Sequence, residues 1–142
     1  MSQLTTEQMA QEDAFMRNVP RLNIGALMLP PIWGPAHGFW ITILFYPAWL
    51  FADNSFYAAY TNPSPLSIGL ALAVFAILLG LTVAFAVVSQ PFAAHRAVAR
   101  GMSKEAYLRR ERAWAVACAL VGLALIGGAT YFNLFMRAGM GL

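Results

Sequence analysis

The sequence predicts an all-α membrane protein with three transmembrane helices, the first of them broken by Pro30, Pro31 and Pro35. Three observations lead there. Hydrophobic residues make up 60% of the 142 and charged residues only 11%, against about 25% charged in an ordinary soluble domain. Apolar runs of the length needed to cross a hydrocarbon core recur along the chain. The nine basic residues are also clustered: six fall between Arg96 and Arg112, and two, Arg17 and Arg21, precede the first apolar run. A chain of this size predicts one integral membrane domain over 1-142, with no separate soluble domain.

Residues 1-22 read as a cytoplasmic N-terminal surface helix. Thr5 followed three residues later by Gln8 has the form of a capping box, and Asn18-Val19-Pro20 stops the helix. Its polar, acidic start lacks the basic-then-apolar order of a secretory signal. A place on the membrane surface or against a partner is expected.

The first span is read over 23-52. Asn23 to Phe51 as one straight helix would measure roughly 43 Å, more than the ~30 Å hydrocarbon core. Each proline lacks a backbone donor and disfavours a helical residue before it. The expectation is a short inserted piece from Asn23 to Gly34, then a spanning helix from Pro35 to about Phe51, bent by Pro47. The stretch from Asp53 to Pro65 holds no lysine or arginine but several aromatics, and reads as an interfacial loop.

The second span is placed at 66-89 and the third at 113-136, with a basic cytoplasmic hairpin over 90-112. Gln90-Pro91 marks a kink or restart. Gly101 is placed to cap one helix and Ser103 to start the next, with Glu105 in its first turn. The positive-inside rule puts the N-terminus and this hairpin in the cytoplasm and the C-terminus outside. Gly69, Ala73, Ala76, Gly80 and Ala84 form a small-residue ridge on the second span. Ala115 with Ala119, Cys118 with Gly122 and Ala124 with Gly128 repeat the spacing on the third. Such ridges let helix backbones approach in lipid, so the two spans are expected to pack on them; a dimerisation face is the alternative. Cys118, the single cysteine, reads as a buried packing residue.

Trp33, His37, Trp40 and Leu44 recur at helical spacing and predict one stripe. His37 between Trp33 and Trp40 has the surroundings to serve as axial ligand to a flat cofactor, to grip a partner, or to cap a carbonyl freed by the helix breaks. His95 reads as a solvated surface histidine. Arg96, Arg100, Arg109, Arg110 and Arg112 offer contacts to anionic lipid or to an acidic partner. No three-ligand metal set, nucleophile–base pair or phosphate loop is present, and no nucleic-acid motif accompanies the basic cluster.

The run Asn23-x-Gly-Ala26, Leu29-Pro-Pro-Ile-Trp33, His37-Gly38 and Trp40 resembles a group of small bacterial inner-membrane proteins of unknown function. These carry an Asn-x-x-Ala-Phe element before a Pro-x-x-Trp turn. The resemblance spans Leu22 to Asp53 and departs at Leu27, where a phenylalanine is common. It implies a bacterial inner-membrane location. The functional expectation is a small non-catalytic subunit that docks on a larger membrane protein complex. The rivals are a pigment- or small-molecule-binding protein using His37, and a homo-oligomeric transporter or channel.

Overall fold

The computed structural model describes residues 5–141, whose regular elements are all helices, with no strand among them. Helix α1 (Thr6–Met16) starts as expected: Thr5 Oγ1 accepts from the Gln8 amide, and the Gln8 side chain accepts from the Thr5 amide. It packs on its own chain. Phe15 stacks on His95 at 4.0 Å, Glu12 pairs with His95, and Lys104 donates to the carbonyls of Phe15 and Arg17.

The broken segment is two short helices. Helix α2 (Ile24–Met28) is capped by Asn23, whose Oδ1 accepts from the Ala26 amide. At Leu29 the chain turns, and α3 (Pro30–Ala36) begins with Pro30 and Pro31 in its first turn, where a missing N–H breaks no helical bond. Pro35 therefore ends a helix rather than starting one, and the expected span from Pro35 to Phe51 does not form. The reason is local. Gly38 takes φ +86°, and the Phe39 and Gly38 amides close on the carbonyls of Gly34 and Pro35, a glycine-terminated helix end. A 3₁₀ turn, Trp40–Leu44, follows and leads into α4 (Phe45–Thr61). Pro47 lies in the first turn of α4, where its missing N–H breaks no helical bond, rather than near the far end of a span. The interfacial loop expected from Asp53 to Pro65 shrinks to Asn62–Ser64, because α4 continues to Thr61.

Helix α5 (Pro65–Ala99) opens with a capping box between Ser64 and Ser67 and continues without a restart through Gln90-Pro91, so Pro91 lies inside the helix. At its end Gly101 adopts φ +87°, and Met102 and Gly101 donate to the carbonyls of Ala97 and Val98. Ser103 then caps α6 (Lys104–Tyr131), which passes into a π-helical turn, Phe132–Arg137. The hairpin between α5 and α6 is thus built by the residues expected to build it. Two helices, Pro65–Ala99 and Lys104–Met140, are long and apolar enough to cross a membrane. Helix α4 lies along α5 through Phe45 on Phe85 and Trp49 and Phe56 on Phe75. It meets the end of α6 where Asn133 donates to both oxygens of Asp53.

The core is the pair α2–α3 packed against α5 and α6. Ala26, Leu29 and Trp33 from the broken segment join Ala86, Ala93, Ala94 and Ala97 of α5 and Tyr107 and Cys118 of α6. The Asn23 amide donates to the Ala86 carbonyl at 3.1 Å, and a Cβ on Gly122 would sit 3.1 Å from the Met28 carbonyl. The inward face of α5 is therefore Ala71, Leu78, Thr82, Ala86, Ser89, Gln90 and Ala93. This displaces the expected packing ridge. Gly69, Ala73, Ala76, Gly80 and Ala84 face outward, as does Gly128 on α6, while Gly122 packs on α2 rather than on α5.

Close approach inside the broken segment rests on glycine. A Cβ on Gly34 would fall 1.9 Å from Thr42 Oγ1, so Gly34→Val should destabilise the protein by at least about 1–3 kcal/mol, the usual range for overpacking. Thermal unfolding of the detergent-solubilised variant followed by circular dichroism checks this, with Gly69→Val, where the same probe meets open space, expected to match wild type.

Candidate functional site: a buried carboxylate that clasps the broken segment

The polar side chains of the core converge on Glu111. Its Oε2 accepts from Asn23 Nδ2 at 2.9 Å and from Trp33 Nε1 at 3.0 Å, and its Oε1 lies 2.8 Å from His37 Nε2. Asn23 Nδ2 also donates to Gln90 Oε1 at 2.6 Å, and the Tyr107 hydroxyl donates to the same oxygen at 3.3 Å. Asn23, Trp33, His37, Gln90, Tyr107 and Glu111 are all buried. An isolated carboxylate in such a place is strongly disfavoured; one with its lone pairs filled is tolerated.

Local structure aims each donor. Asn23 is the N-cap of α2, so its Oδ1 is held by the helix and its Nδ2 points away from it. His37 is the C-cap of α3, and its Nδ1 lies 2.8 Å from the Trp33 carbonyl. A carbonyl oxygen only accepts, so Nδ1 carries a proton. One further proton then lies between Nε2 and the carboxylate, and the His37–Glu111 pair is neutral as a unit. The His37 ring stacks on Trp33 at 4.0 Å and meets the edge of Trp114 at 5.5 Å. A charged imidazole gains from the ring face beneath it.

Two arginines complete the surroundings. Arg96 Nη1 donates to the His37 carbonyl at 2.6 Å while its guanidinium lies 5.0 Å from the Phe39 ring. A Cβ on Gly38 would fall 2.3 Å from that same nitrogen, so a side chain there would displace the Arg96 guanidinium as well as strain the positive φ. Arg110 Nη2 lies 3.6 Å from Glu111 Oε1. A recess of about 130 Å³ opens beside the network between Asn18, Leu22, Ile24 and Arg112.

Trp33 and His37 are therefore brought together, as their spacing suggested. Trp40 and Leu44 are not: the turn at Gly38 separates them, and both are largely exposed. Both His37 nitrogens are engaged in this structure, Nδ1 with the Trp33 carbonyl and Nε2 with the Glu111 carboxylate. His95 does not join His37; it pairs with Glu12 at the surface. Arg100, Arg109 and Arg112 are exposed. Glu111, Gln90, Tyr107 and Trp114 were not singled out in the sequence. Glu111 is concealed among Arg109, Arg110 and Arg112, yet Tyr107, Glu111, Trp114, Cys118 and Gly122 recur at helical spacing, and that stripe was the available signal.

Compared with protein-family models, curated proteins and solved structures, the chain matches none. The likeness between Leu22 and Asp53 rests on those residues alone.

Removing one partner of a buried pair leaves the other unpaired, at about 3–5 kcal/mol. Glu111→Ala should therefore destabilise the protein by that order, and His37→Ala should then add little in the Glu111→Ala background. A double-mutant cycle on unfolding in detergent measures the coupling.

Proposed function

We propose that this chain is a small, non-catalytic integral membrane protein that docks on a larger membrane protein complex and stabilises or assembles it. In this reading α5 and α6 cross the bilayer, α4 forms a third span beside them, and α2–α3 enters from the side of the basic turn and returns to it. The arginine-rich turn and the N-terminus face the cytoplasm by the positive-inside rule, in keeping with a bacterial inner membrane. Irregular backbone is tolerated at membrane depth where protein covers it. Leu29 and His37, at the two breaks of the segment, are covered in this way.

The observation that carries the docking reading is the outward ridge of α5. Gly69, Ala73, Ala76, Gly80 and Ala84 all face away from the chain's own helices, and no atom lies within 4 Å of a Cβ placed on Gly69 or Gly80. Small residues facing lipid gain nothing over leucine, whereas facing another helix they let the backbones touch. Exposed Arg100, Arg109 and Arg112 at the basic end suit an acidic patch on the partner or anionic lipid headgroups. The clasp at Glu111 spends its polar groups on one another, which supports a positioning role rather than turnover of a substrate.

A photo-crosslinking side chain placed at Gly80 or Gly69 in cells of the source organism should yield adducts with a second, larger membrane protein. Placed at inward-facing Ala86, it should yield none. Migration of the purified protein as a lone protomer in mild detergent, with no adduct from the ridge, would overturn the reading. Adducts only with a second copy would replace it with self-assembly.

A further inference from the structure

We propose that the α2–α3 hairpin is a pH-responsive clasp: it stays seated between α5 and α6 while His37 and Glu111 share one proton, and unseats when a second proton enters the pair. Glu111 Oε2 already receives two donors, Asn23 Nδ2 and Trp33 Nε1. Oε1 faces His37 Nε2 across 2.8 Å, a gap that holds one proton. His37 cannot turn away its other proton, because Nδ1 is committed to the Trp33 carbonyl. A second proton must therefore either enter at Oε1, beside His37 and with the Arg110 guanidinium 3.6 Å away, or displace Asn23 or Trp33 at Oε2. The first choice removes the negative charge that holds His37 and faces Arg110, and the second breaks a bond to one end or the middle of the hairpin.

The groups facing the pair are few. From α6, Arg110 lies 3.6 Å from Oε1, and Tyr107 and Cys118 share the buried face of the helix. From α5 come Gln90 and Arg96, the latter through the His37 carbonyl. Helix α2 has no ionisable residue and α3 has none before its cap at His37. The proton count thus depends on the pair itself.

The sign follows from comparing seated and unseated states. Freed side chains take protons near pH 6.5 for imidazole and near 4.3 for a glutamic carboxyl. Between those values the unseated pair holds as many protons as the seated pair, so seating is most favourable there. Below about pH 4.3 the unseated state binds one more proton, and seating weakens. Glu111→Gln changes this in a defined way. An amide oxygen still accepts from Asn23 and Trp33, and the amide N–H donates to a neutral His37. Unseating then gains a proton below about pH 6.5, so the acid transition moves upward.

Cys118 supplies the readout. It is 2% exposed and belongs to the buried cluster that includes Ala26 and Leu29 of the hairpin. The full-length protein in detergent is treated with a dipyridyl disulfide, which still reacts with thiols in acid. The rate at Cys118 is divided by that of a reference thiol, Leu120→Cys in a Cys118→Ser background, on the exposed face of the same helix. The ratio in wild type should be low at pH 5.5 and rise severalfold by pH 3.5 with helical circular dichroism retained. In Glu111→Gln it should be low at pH 7.5 and already raised at pH 5.5. A wild-type ratio that does not change between pH 5.5 and 3.5, one that rises only as helical signal is lost, or a Glu111→Gln profile superimposable on wild type would each overturn the proposal.

Discussion

One carboxylate sets the arrangement of this protein. Glu111 receives hydrogen bonds from Asn23, Trp33 and His37, residues 88, 78 and 74 positions away. Asn23 and His37 lie on either side of α2 and α3, and for both to reach one side chain the intervening chain must go out and come back. The hairpin is thus the geometric consequence of burying a charge that has to be filled from several directions. A straight helix from Asn23 to His37 would put its ends roughly 21 Å apart, beyond the reach of any single carboxylate.

The glycines and prolines of the broken segment serve that return. Pro30 and Pro31 start α3 where the chain reverses, and Gly38 ends it in the left-handed region while admitting Arg96. Gly25 does similar service, since a Cβ there would fall 2.6 Å from Trp33 Cδ1. The small side chains opposite, Ala86, Cys118 and Gly122, form the floor that lets α2 approach both long helices. Small residues are accordingly used twice in the chain, on different faces. Those facing inward seat the hairpin, and those at Gly69 to Ala84 remain turned outward.

Much of the local structure was legible. The caps at Thr5 and Ser103 and the turn at Gly101 depend on bonds between residues three to five positions apart, and residue type at those positions announces them. The rest was misread where local signals allowed two outcomes. Pro35 after Gly34 suits the start of a helix in isolation, but the closing turn at Gly38 makes it an end. Pro91 suggested a kink or restart, yet α5 continues as one helix past it, flanked by buried Gln90, Ala93 and Ala94.

Sequence by itself determined the all-helical character, the two long apolar helices, the basic hairpin and the presence of a broken segment near the N-terminus. Each of these comes from composition, periodicity or contacts within a turn. Tertiary structure alone decided which faces of α5 and α6 turn inward, and that Glu111, one acid among arginines, becomes the buried centre. That choice depends on partners more than seventy residues distant, whose meeting is fixed by filling the lone pairs of a desolvated charge; the helical stripe through Tyr107, Glu111 and Cys118 marks the face but not the partners that meet it.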